Sequence, residues 1–120
     1  MGRLTTHVLD TAGGRPAEGV VVTVTRLDHP DGPIVVSTAV TNQDGRTAAP
    51  LLEGSALVAG RYEIAFAVGG YFAGRPGQDA LADPPFIDEV PVRIGLADAD
   101  GRYHVPLLVS PWSYATYRGS

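Results

Sequence analysis

Tyr62, Ile64, Phe66 and Val68 fall on one side of a period-two pattern, and Arg61, Glu63, Ala65 and Ala67 fall on the other. A second run, Val90, Val92, Ile94 and Leu96 against Pro91, Arg93 and Gly95, repeats it. Period two with one apolar face is the mark of a half-buried strand. Glycine and proline, 15 and 10 of them, interrupt the chain often enough to keep every such run short. The runs are rich in Val, Ile, Thr and Tyr, so the pattern predicts an antiparallel sandwich or barrel and not a helical bundle. Strands are expected over Leu4–Asp10, Val20–Leu27, Ile34–Asn42, Arg61–Val68, Glu89–Leu96, Tyr103–Val109 and Ser113–Tyr117, with a further short one around Thr47–Leu51. Asp31-Gly32, Asp44-Gly45 and Asp100-Gly101 supply residues able to take positive φ at turns. Gly69–Pro85 follows neither period; one short helix is expected there, on either side of Pro76.

Length adds one constraint. A chain of 120 residues fits a single domain, here residues 1–120, and by size scaling buries roughly two thirds of its unfolded surface. There is no cysteine, so disulfides and thiolate metal sites are excluded and a reducing compartment is compatible. The start lacks a basic segment followed by an apolar run, and no stretch approaches the ~18 apolar residues of a membrane span. A cytoplasmic protein without membrane contact is expected. The net charge of −4 argues against nucleic acid as a partner. All nine basic residues are arginine, which coding bias explains. Any cationic group in a site must then be a guanidinium, whose flat fork suits carbonyls and carboxylates.

Few polar residues stand out against this background. His29 lies in the polar turn Asp28-His29-Pro30-Asp31 and reads as surface. His7 lies within the first expected strand, on the face of Thr5 and Leu9. His104 opens a late strand, on the face of Pro106, Leu108 and Ser110. Singly, each reads as structural. Together, two imidazoles from strands far apart in sequence could face one cleft, with a pKa suited to proton transfer near neutrality. From spacing alone Arg46 is an exposed residue after a turn, and Asp10 begins an Asx-turn. The β-prone aromatic run Trp112–Tyr117 leads straight into Arg118-Gly119-Ser120, which argues against a frayed tail. No nucleophile elbow, metalloprotease helix or phosphate loop is present. His7, His104 and Asp10 are residue types that hold zinc, but at a spacing without diagnostic value.

Several segments, taken together, resemble those of the transthyretin-like 5-hydroxyisourate hydrolase family. They are Thr6-His7-Val8-Leu9-Asp10, Gly14-Arg15-Pro16-Ala17, Thr41-Asn42-x-Asp44-Gly45-Arg46, Gly60-Arg61-Tyr62, Tyr103-His104-Val105-Pro106-Leu107-Leu108-x-Ser110-Pro111 and the terminal Tyr117-Arg118-Gly119-Ser120. The tail is the most specific, since it marks the enzyme branch and not the hormone carriers. The match runs from Leu4 to Ser120; Gly74–Pro85 looks longer and more proline-rich than usual. The resemblance implies an all-β, two-sheet antiparallel sandwich of seven or eight strands with a short helix after the fifth long strand. It implies a homotetramer, a dimer of dimers, with sites in a channel between dimers. It implies hydrolytic opening of the six-membered ring of 5-hydroxyisourate, giving 2-oxo-4-hydroxy-4-carboxy-5-ureidoimidazoline in urate degradation, without cofactor or metal.

It also carries catalytic roles onto His7, Arg46, His104 and Ser120. His7 and His104 are expected to share proton transfer and water positioning, with the base undecided. Arg46 is expected to polarise a substrate carbonyl. Ser120 is expected to offer its hydroxyl, and its carboxylate to orient a histidine. Tyr117 and Arg118, counted with Arg46 and Ser120 among the substrate-binding residues, are expected to fix the tail. Two other readings compete: a transthyretin-like carrier of apolar ligands, and a structural sandwich module. A carrier needs an apolar channel, and neither rival needs Ser120.

Overall fold

The computed structural model describes residues 1–75 and 82–120. Among the described residues nine strands, two of them only two residues long, form two sheets: β1 (Arg3–Asp10), β2 (Arg15–Pro16), β3 (Val21–Arg26), β4 (Ile34–Val40), β5 (Leu52–Glu53), β6 (Gly60–Phe66), β7 (Val90–Leu96), β8 (Arg102–Val109) and β9 (Tyr114–Thr116). The first sheet runs β2-β1-β8-β9, with β5 beside the start of β1; the second runs β4-β3-β6-β7. The sandwich expected from the alternation is present. Its pairing is antiparallel everywhere except between β1 and β8, which are parallel from Arg3↔Arg102 to Asp10↔Val109. After β2 the chain builds the second sheet with β3, β4, β6 and β7, touching the first only through β5, and then enters beside β1 at β8 in the same direction.

The core lies where the period-two pattern put it. Tyr62, Ile64 and Phe66 of β6, with Val90, Val92 and Leu96 of β7, face Leu4 and Val8 of β1 and Val105, Leu107 and Val109 of β8. Burying each such side chain is worth roughly 1.5–3 kcal/mol, which sets the register, because a one-residue slip would turn the whole row to solvent. Two short strands differ from expectation. The strand anticipated around Thr47–Leu51 forms later, at Leu52–Glu53, where it pairs with Arg3 and Leu4. Arg15–Pro16, not among the expected strands, pairs with the end of β1.

The helix α1 (Val68–Ala73) precedes Pro76 and follows β6, the fourth long strand rather than the fifth. It forms despite Gly69 and Gly70 because Val68, Tyr71 and Phe72 bury against the core, with the two rings edge to face at 5.0 Å. The remainder of the helix expectation, around Gln78–Leu81, lies outside the described residues. Among the described residues no helix is long and apolar enough to cross a membrane.

Candidate active site

The parallel β1–β8 pair brings residues 99 positions apart into direct opposition. On β1 the buried row is Leu4, Thr6, Val8 and Asp10, so Arg3, Thr5 and His7 share the outward face. On β8 the outward face carries Arg102 and His104, while Tyr103 and Val105 turn inward. Thr5 stands opposite His104, and its Oγ1 lies 2.8 Å from His104 Nδ1. His7 stands opposite Pro106, two residues along the same face.

Arg46 reaches this face through a turn fastened to β1. Asn42 Oδ1 accepts the backbone N–H groups of Asp44, at 2.9 Å, and of Arg46, at 3.3 Å. Gly45 takes φ of 74° and its carbonyl accepts the Val8 N–H at 2.8 Å. A Cβ at Gly45 would drive into the Val8 carbonyl, so glycine serves both the conformation and the close approach. Arg46–Pro50 then follows the edge of β1 until Leu51 N–H bonds the Leu4 carbonyl at 2.8 Å.

The tail arrives from the other side. β9 pairs with β8 from Leu107↔Thr116 to Val109↔Tyr114, and Thr116 Oγ1 donates to the Pro106 carbonyl at 2.7 Å. Beyond it, Gly119 N–H donates to the His104 carbonyl at 2.7 Å. A Cβ on Gly119 would sit 2.7 Å from His104 Cδ2, so only glycine lets the tail lie against the imidazole. The Arg118 guanidinium stacks 4.4 Å from the centre of the Tyr103 ring and donates to the Arg102 carbonyl.

The result is a cleft of about 530 Å³ lined by, among others, Arg3, Thr5, Arg46, Arg102, His104 and Ser120. Three of the four residues expected to be catalytic meet on its wall. His7 stands beside the wall, two residues along the face from Thr5 and opposite Pro106. Tyr117 is exposed, and Arg118 lies on Tyr103; neither lines the cleft. Thr5, Arg3 and Arg102 do line it and were not expected to. Alternation with His7 was a signal for Arg3 and Thr5, but the partner strand was not readable.

The cleft is cationic. Arg3, Arg46 and Arg102 form no ion pair among the described residues. The His104 pKa is held below its ordinary value, first by burial, then by the Arg46 guanidinium and by His7. His104 is therefore neutral at neutral pH, with Nδ1 occupied and Nε2 open. Neutral imidazole, a free guanidinium fork and a hydroxyl around one small cleft suit a flat ligand edged with carbonyls. The combination of His7, His104 and Asp10 considered for zinc is not assembled: Asp10 lies on the buried face of β1, and among the described residues no cluster of metal-ligating side chains forms.

The HIUase/Transthyretin family model matches residues 4–119. The 5-hydroxyisourate hydrolase of Ralstonia nicotianae is 56% identical, with 100% of each chain covered. A crystal structure of (S)-allantoin synthase superposes with TM-score 0.91 at 47% identity, covering 99% of this chain and 44% of that one, so this chain spans under half its length. The structure of the Klebsiella pneumoniae 5-hydroxyisourate hydrolase superposes with TM-score 0.78 at 32% identity, with 100% of both chains covered.

Proposed function

Because the chain belongs to the HIUase/Transthyretin family, we propose that it is an enzyme that hydrolyses 5-hydroxyisourate to 2-oxo-4-hydroxy-4-carboxy-5-ureidoimidazoline, a step of urate and wider purine breakdown. The observation that carries this reading is the meeting of Arg46, His104 and Ser120 in one polar cleft of a chain so close to named hydrolases. A carrier of apolar ligands would find three arginines and an imidazole on that wall, which does not favour it.

The product's name fixes the bond that breaks. A carboxyl and a ureido group appear where the ring had one carbonyl–nitrogen bond. Water adds to that carbonyl, the resulting oxyanion collapses, the carbon–nitrogen bond opens, and the departing nitrogen takes up a proton. Arg46 holds the carbonyl oxygen in its fork and stabilises the charge developing there. His7 and His104 form the pair that positions water and moves the proton. The Ser120 hydroxyl adds a hydrogen bond to the ring edge, while Arg118, anchored on Tyr103, and Tyr117 keep the tail in place. No covalent nucleophile is required, and no cofactor enters this scheme.

The working form is a homotetramer, a dimer of dimers, in the cytoplasm, each chain acting as one hydrolase domain. β9 is the outermost strand of its sheet, and Trp112, Tyr114 and Tyr117 are exposed along that border, which supports pairing with a second copy there. The deciding experiment follows the ultraviolet absorbance of 5-hydroxyisourate generated in situ from urate. Catalysed decay well above the spontaneous rate is expected. Identical decay with and without protein would overturn the reading.

A further inference from the structure

We propose that Thr5 is a positioning residue that holds His104 in its Nε2–H tautomer, so that the cleft meets His104 as a hydrogen-bond donor; the catalytic part of this inference rests on the hydrolase reading. The imidazole has three edges to account for. Nδ1 is taken by Thr5 Oγ1 at 2.8 Å. Cδ2 is covered by the Gly119 backbone, where a Cβ would have only 2.7 Å of room. The edge left open, Cε1–Nε2, is the one that can address a ligand in the cleft.

The direction of the Thr5 hydrogen bond follows from what else the hydroxyl could do. Among the described residues, Thr5 Oγ1 has no other hydrogen-bond partner. If Nδ1 carried the proton and donated, the hydroxyl hydrogen would find no protein acceptor and would be left to water in the cleft that Thr5 lines. If the hydroxyl donates to Nδ1, both groups are satisfied by one bond, and the ring proton resides on Nε2. A β-branched side chain in a strand has restricted χ1, so the hydroxyl is held where the parallel register places it. Burial and the Arg46 guanidinium favour the neutral ring, so the tautomer is the variable that matters. As an Nε2–H donor, His104 steadies the oxyanion or delivers a hydrogen bond to the departing nitrogen. Taking the proton from water then falls to His7.

The test is nitrogen-15 spectroscopy of the intact protein labelled at histidine, with His104 assigned by comparison with His104→Asn. The expected spectrum has His104 Nδ1 unprotonated and Nε2 protonated. A protonated Nδ1 overturns the proposal, and this reading requires no substrate and no Thr5 variant. In kinetics, Thr5→Val, which keeps the shape and removes the hydroxyl, should lower kcat about tenfold or more while KM moves little. Thr5→Ser should restore most of it. Wild-type kcat in a folded Thr5→Val protein would overturn the positioning role. If the wild-type protein opened no ring at all, the hydrolase reading would fall, and the spectrum would still decide the tautomer.

Discussion

The cluster at Asp10 and the cluster at His104 stand on the same pair of strands, on opposite faces of one sheet, and treat polarity in opposite ways. Asp10 is buried in the core. Its Oδ1 accepts the Gly13 N–H at 2.7 Å and its Oδ2 accepts the Tyr71 hydroxyl at 2.8 Å. The Tyr71 pKa is pushed up to about 12, first by burial and then by that carboxylate. Each carboxylate oxygen has a donor from the chain itself, and α1 is tied to the end of β1 by the result. At His104 one nitrogen is held and one is open, and the guanidinium opposite has no ionic partner among the described residues. A polar group satisfied all round by its own chain supports the fold. One gripped on a single side and left open on the other is set for a ligand.

Four measurements would break or sharpen this contrast. Arg46→Lys keeps the charge and loses the planar fork, so kcat/KM should fall by about 10²-fold, the scale of losing one oriented oxyanion donor. Its melting temperature should stay that of the parent; near-normal turnover would return Arg46 to the surface role its spacing first suggested. Asp10→Ala should do the reverse. It strands the buried Tyr71 hydroxyl and the Gly13 N–H, costing about 1–3 kcal/mol in a denaturant titration. Activity per folded molecule should hold, and a parent-like midpoint would show that the cluster adds nothing to stability.

Removing Ser120 takes a hydroxyl from the cleft and no side chain from the core, so turnover should drop about tenfold with stability nearly unchanged. Parent-like turnover would separate the tail from the site. The smallest effect concerns protons. His104 has its folded-state pKa below the ordinary 6.5 because of burial, Arg46 and His7. As pH falls through 6.5 the unfolded chain gains this proton first, so stability declines from 6.5 down to the folded value and is insensitive to His104 above 6.5. In Arg46→Gln the guanidinium facing the ring is gone, and a nuclear magnetic resonance titration should find the His104 pKa moved upward. An unmoved value would mean that Arg46 has no part in setting it.

The sequence made the strands legible where alternation is strict, as at Tyr62, Ile64 and Phe66, and made the Arg46 turn legible through Asp44-Gly45. Family resemblance, rather than pattern, singled out Arg46 and Ser120. What could not be read was pairing. Nothing local to Thr5 announces His104 as its partner, because the register that opposes them is set by core rows on the other face of both strands. Strand-like residues at Thr47–Leu51 gave the right element in the wrong place, since pairing with β1 forms only at Leu52–Glu53. Arg118 settles on the Tyr103 ring of β8, a contact that nothing local to the tail announces.

The parallel β1–β8 ladder has a kinetic meaning as well. The second sheet grows from neighbours in sequence, β3 with β4 and β6 with β7, whereas Thr5 meets His104 only after a loop of nearly the whole chain has closed. Closing so long a loop is entropically slow, and contacts between distant residues form late. A refolding chain would thus acquire most of its strand content before it acquires any cleft. Recovery of catalysis would date the final closure of the molecule rather than its collapse.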